Sequence, residues 1–93
     1  MNTIEQTTRP CYVIKYDGDK RLVGQWSGKS TPPALEQEVN VTMNGLGYGV
    51  VVDYFVASGY LGIKVRLNAP PAWFVKQNGG NVLANVFGAE IIN

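Results

Sequence analysis

Residues 45–67 read GLGYGVVVDYFVASGYLGIKVRL. Two runs rich in Val, Ile, Tyr and Phe flank Ser58-Gly59, a pair that suits a tight hairpin turn. In the second run Leu61, Ile63, Val65 and Leu67 alternate with Tyr60, Gly62, Lys64 and Arg66. A period of two assigns the four aliphatic residues to the buried face of a strand. The first run is apolar on both faces apart from Asp53, which predicts a central strand packed on two sides. The rest of the chain is expected to cover this hairpin.

Immediately before it, Glu38 to Met43 alternates, with Val39, Val41 and Met43 on one face, and Asn44-Gly45 signals a turn. Three glycines in five positions (Gly45, Gly47, Gly49) predict a bulge or a close backbone approach. Further toward the amino terminus, SGKSTPP (27–33) is a loop, because paired prolines donate nothing to a sheet. Ala34 to Gln37 has room for one helical turn. Cys11 to Tyr16 and Arg21 to Trp26 form a second hairpin about the Asp17-Gly18-Asp19-Lys20 turn. Residues 1–9 are polar without a period and read as a flexible tail, or an arm that orders on assembly.

On the carboxyl side, PAWFVKQ (71–77) follows a proline and precedes Gly79-Gly80, as a short helix would. Trp73 and Phe74 are expected to anchor it, Trp73 as a plug in the core. Val82 to Ile92 supplies a last strand. The class is mainly β: a small twisted antiparallel sheet or barrel of five to six strands, with one helical turn near residues 71–77. Residues 10–93 form a single β-barrel domain. NGLGYGVVVDYF followed by GYLGIKVRL resembles the ligand-binding half of an SH3-like barrel, a likeness that covers residues 38–92 and leaves the amino-terminal hairpin as an addition. PPAWFVKQNGGN and VFGAEI resemble segments of small proteins from bacteriophages and prophages, which implies an origin rather than an activity.

Composition narrows the function. Eight Lys and Arg stand against seven Asp and Glu, a net charge of +1, where a protein that coats nucleic acid carries a basic surface. Histidine is absent, which removes the commonest general base and a frequent metal ligand. Cys11 is the one cysteine, so no intramolecular disulfide forms, and no base is expected beside it. The carboxylates show no acid–base pair, Asp17 and Asp19 lack the other ligands of a calcium loop, and GLGYG lacks the lysine and hydroxyl of a phosphate loop. The expectation is a protein that is not an enzyme and needs no cofactor. MNTIEQTTRP lacks the regions of a signal peptide and no apolar run spans a bilayer, which predicts no membrane partner and a place in the host cell cytoplasm.

Binding has more support. Asp53 interrupts an apolar strand and is expected to be paired with Lys64 and Arg66 across the hairpin, or to hold them toward a phosphate or carboxylate. Tyr48, Tyr54 and Tyr60 are expected near one another, as core, rim or a stacking platform. Trp26, which precedes a loop carrying Ser27, Lys29, Ser30 and Thr31, is either a lid on the open end of the barrel or a ligand-binding residue. Lys76 and Asn78 open a polar, glycine-rich run that either ends the helix or offers amides to an anion. The leading reading is a homo-oligomeric binder of phage type whose role is counter-defence. It would sequester a small nucleotide immune signal or block a host defence protein. The alternatives are a barrel that binds nucleic acid through Lys64, Arg66 and Lys76, and an accessory virion protein.

Overall fold

The computed structural model describes residues 3–16 and 20–92, the side chains of Tyr16 and Lys20 aside. Eight strands run in the order β1 (Thr3–Thr8), β2 (Cys11–Tyr16), β3 (Lys20–Gln25), β4 (Glu38–Val41), β5 (Gly47–Ala57), β6 (Tyr60–Leu67), β7 (Leu83–Phe87) and β8 (Ile91–Ile92). One helix, α1 (Ala72–Gln77), lies between β6 and β7. Short 3₁₀ turns occupy Met43–Gly45 and Gly88–Glu90. With 54% strand and 14% helix the protein is mainly β, and the sheet curls into a half-barrel. The strand count exceeds the expected five to six for two reasons. The Gly88–Glu90 turn splits the last strand, and Thr3–Thr8 pairs with β2 where a flexible tail was expected. The turn at Asp17–Asp19 lies outside the described residues.

The sheet order is β1-β2-β3-β6-β5-β4-β8, with β7 also on β6. The β5–β6 hairpin is the trunk of this sheet. Ser58 and Gly59 turn it with φ of 54° and 80°, the two positive values that a two-residue type I′ turn demands. Leu61, Ile63, Val65 and Leu67 are all buried, as their spacing predicts. Full burial of one such aliphatic side chain contributes about 1.5–3 kcal/mol. They meet Val39, Val41, Val51, Val86 and Ile14 in one continuous core.

A register shift between Val51 and Asp53 marks a bulge in β5. Strict alternation would put Val51, Asp53 and Phe55 on one face. The extra residue instead keeps Val51 inside, sends Asp53 outward opposite Lys64, and turns Tyr54 into the core. So the bulge spares the core a carboxylate. Outward-facing Val50, Val52, Asp53 and Phe55 are half-buried. The glycine-rich entry has its own reason: a Cβ at Gly49 would lie 2.6 Å from the Arg66 carbonyl oxygen, the expected close backbone approach.

Three local expectations change. Ala34 to Gln37 makes a turn, Gln37 N–H donating to the Ala34 carbonyl at 3.2 Å, and Glu36 at φ 71° excludes a helix. On α1, Phe74 is buried but Trp73 is 44% exposed, in edge-to-face contact with Phe74 at 5.9 Å. Consecutive helical residues point about 100° apart, so only one of the two rings can enter the core. Trp73 does not plug it.

The amino-terminal sheet joins the trunk narrowly. Its β3 meets β6 in parallel through the pair Gln25–Tyr60, with Gln25 N–H donating to the Gly59 carbonyl at 2.9 Å. Beyond that pair, Tyr12, Ile14 and Trp26 carry its packing into the common core.

Candidate functional site

Where the chain leaves β3 it turns at Trp26, whose N–H donates to the Pro10 carbonyl at 2.9 Å. The indole is 3% exposed, and its Nε1–H has no acceptor. Gly28 and Gly88 close over the ring: a Cβ at Gly28 would lie 2.6 Å from Nε1, and one at Gly88 2.8 Å from Cε2. Only glycine fits at these two positions. A buried donor left unmade costs about 1–3 kcal/mol, so this N–H calls for an explanation.

Above Trp26 opens a cleft of about 390 Å³ between the amino-terminal sheet and the Ser27–Thr31 loop. Gln6, Arg9, Tyr12, Lys29 and Ser30 line it with Trp26. Its walls carry two cations and no carboxylate. Among the described residues neither Arg9 nor Lys29 is ion-paired; the pair that forms is Lys15 with Glu5, at 3.4 Å. On the other side of Gly28, Lys29 and Ser30 lies a second cavity of about 550 Å³, walled by Ser27, Thr42, Gly88, Ala89, Ile91 and Ile92. Ala89 N–H donates to Ser27 Oγ at 2.9 Å and Thr42 Oγ1 donates to the Glu90 carbonyl at 3.1 Å, which ties the 3₁₀ turn to the loop and to β4.

The residues expected to form a site divide among several places. Tyr48 (57% exposed) opens β5, while Tyr60 (44%) pairs with Ala57 at its far end. Nine residues of strand at about 3.3 Å each separate those ends, so the tyrosines build no platform. Tyr54 lies in the core and its hydroxyl donates to the Pro33 carbonyl at 2.7 Å. Tyr54→Phe is expected to lower stability by about 1–2 kcal/mol with no change in fold, measured by urea titration.

Asp53 sits opposite Lys64, but its Oδ1 accepts the Tyr54 N–H at 2.8 Å, and among the described residues it makes no ion pair with Lys64 or Arg66. Lys64 shares a shallow polar depression with Asn78, Asn81 and Asn85, while Arg66 lies exposed farther along β6. Lys76 is exposed on α1, and Asn78 Nδ2 donates to the Phe74 carbonyl at 2.8 Å. The Gly79, Gly80 and Asn81 amides are spent on carbonyls of Lys76, Val75 and Asn78. That run terminates the helix and leaves no amide for an anion. Trp26 alone of the expected site residues reaches the basic cleft; Gln6 comes to it from β1, Arg9 from the β1–β2 turn and Tyr12 from β2, none of which the sequence connected to it.

Comparison with known proteins finds no matching family model, no similar curated protein and no similar solved structure. The site must therefore be read from its own chemistry. Among the described residues no three His, Cys, Asp or Glu side chains gather as metal ligands would, and no helix is long and apolar enough to cross a membrane. A further feature escaped the sequence. On the outer face, Phe55 and Phe87 both lie opposite Gly62 and meet edge-to-face at 5.4 Å over it. Lys64 and Arg66 continue the same row of β6, each two residues on.

Proposed function

We propose that this protein is a non-enzymatic binder that takes up a small nucleotide in the cleft over Trp26 and acts by sequestering it. The observation that carries this reading is a buried indole N–H without an acceptor on Trp26, a residue that lines a cleft with two unpaired cations and no carboxylate. Arg9 and Lys29 suit a phosphate, Arg9 through its planar fork of donors. Tyr12 and Trp26, both buried, give the cleft an apolar floor, and a ligand oxygen would satisfy Nε1–H. The likeness of two segments to phage proteins supports counter-defence as the setting, with a nucleotide immune signal as the ligand. An unpaired outer edge on β1 supports a homo-oligomer that shares edges. The pairing of β8 with β4 after a 3₁₀ turn supports the SH3-like reading of residues 38–92, with β1 to β3 as the addition.

Trp73→Phe leaves Trp26 as the one tryptophan and removes a ring that is exposed, so the variant reports on the cleft directly. Titrated with AMP, ADP or ATP, it is expected to change its emission with saturation at micromolar concentrations, and the nucleotide is expected back unaltered. Arg9→Ala and Lys29→Ala should each weaken binding about tenfold, the equivalent of about 1.4 kcal/mol. No emission change up to millimolar nucleotide defeats the reading, and conversion of the nucleotide defeats its non-enzymatic part.

The outer face favours a second reading, a single-stranded nucleic acid laid along β6. Phe55 and Phe87 would stack bases there, and Lys64 and Arg66 would take phosphates about 6.8 Å apart. Its affinity would fall steeply with salt and would not depend on Arg9.

A further inference from the structure

We infer that the ligand of the cleft is a dinucleotide, two nucleosides joined by phosphate, seated across the Gly28-Lys29-Ser30 strip. The inference rests on the nucleotide reading above and extends it to the second cavity. The two cavities, about 390 and 550 Å³, are both walled by Gly28, Lys29 and Ser30. Each falls within the range of 300–1,000 Å³ typical of small-molecule sites. One nucleotide fills one of them and leaves the other empty. A ligand that fills both must cross the strip, and what crosses it meets Lys29, the cation common to both walls, and the Ser30 hydroxyl. A bridging phosphate is the group that this pair of donors suits.

At the crossing point Gly28 carries no side chain, and it cannot carry one, because Trp26 and the Gly88 carbonyl stand where its Cβ would go. The walls on the two sides differ. The first offers Tyr12, Trp26 and Arg9; the second offers Ala89, Ile91 and Ile92 with the Thr42 hydroxyl. Neither wall holds a carboxylate, so nothing repels a ligand with a phosphate at the bridge and a second one beside Arg9. Two nucleosides in unlike surroundings mean that the ligand binds in one orientation, one molecule per chain.

Calorimetry on the full chain tests this with AMP, the linear dinucleotide ApA and cyclic di-AMP, and with their guanine counterparts. At least one dinucleotide is expected to bind tenfold or more tightly than its mononucleotide, at one per chain. The linear and cyclic arms distinguish a ligand with a single bridging phosphate from one with two. Ala89→Trp, which fills the second cavity from an exposed position, should bring the ratio of dinucleotide to mononucleotide affinity toward one. Ile92→Glu, at a residue 63% exposed, does the same by charge and serves if Ala89→Trp folds poorly. Dinucleotides that bind no more tightly than AMP overturn the inference and leave the nucleotide reading standing. So does a ratio that neither variant moves. If neither mononucleotides nor dinucleotides bind, the cleft reading itself fails.

Discussion

Trp26→Ala is expected to lower the free energy of unfolding by about 3–5 kcal/mol, the usual cost of truncating a large buried aromatic. Trp26 is 3% exposed, belongs to the core cluster, and stands where β3 leaves the sheet. Alanine would leave a void between Gly28, Gly88 and the amino-terminal sheet, and the glycines cannot fill it with side chains. Domains of this size hold about 5–15 kcal/mol in total. Each kcal/mol is worth about 4–8 °C of melting temperature, so the loss should show as a fall of roughly 12–40 °C. Trp26→Phe separates stability from binding. It keeps most of the ring and deletes a donor that has no acceptor, so its cost should stay below about 2 kcal/mol. Nucleotide affinity, which on the present reading uses that donor, should fall tenfold or more. A phenylalanine variant that binds as well as the native chain would remove Nε1–H from the site.

The second large effect is expected at Gly88→Ala. The added Cβ would run into the Gly28 backbone nitrogen and lie 2.8 Å from Trp26 Cε2 and 2.9 Å from Gly28 Cα. A flexible side chain could swing away from such a contact, but here one neighbour is main chain and the other a ring held on all sides. Overpacking of this kind costs about 1–3 kcal/mol and more where the backbone must move, and about 3 kcal/mol is expected here. Thermal melts followed by circular dichroism would measure it. Gly79→Ala is the contrast: no atom lies within 4 Å of its Cβ, and the cost comes from φ of 63° alone, about 1 kcal/mol. Equal losses at the two glycines would mean that Gly88 is not tightly packed.

The hairpin at the centre of the fold was legible because period-two alternation is a local signal. Leu61 to Leu67 and Ser58-Gly59 needed nothing beyond their own neighbours to be read. Tyr54 shows where that signal ends. Its inward place depends on the bulge after Val51, and the bulge exists only in the register against Val65 and Lys64. With strict alternation Asp53 would point inward, away from Lys64 and Arg66, and only the bulge turns it to their face. Thr3–Thr8 was illegible for another reason: apart from half-buried Ile4 its side chains are exposed, so no apolar pattern could mark it. Its β-branched threonines were the available sign. Trp73 could have been placed from the sequence, since two adjacent aromatics on a helix cannot share one buried face.

The site was less legible than the fold. Arg9 and Lys29 stand twenty residues apart, in a segment read as a tail and in a loop. Each is an ordinary surface cation on its own. Only the turn of the chain at Trp26 brings them to one cleft.

The seam between the amino-terminal sheet and the trunk has a consequence of its own. One backbone pair, Gln25–Tyr60, stitches the two together, and the cleft opens one residue beyond it at Trp26, with Gln6, Arg9 and Tyr12 on one bank and the Gly28–Thr31 segment on the other. A molecule held by both banks acts as a fastener. The Gln25 amide, donated to Gly59 across the seam, becomes its clock. It trades hydrogen for solvent deuterium only when the two parts come apart. An occupied cleft should slow that clock and leave the amides of the β4–β8 ladder keeping their former time.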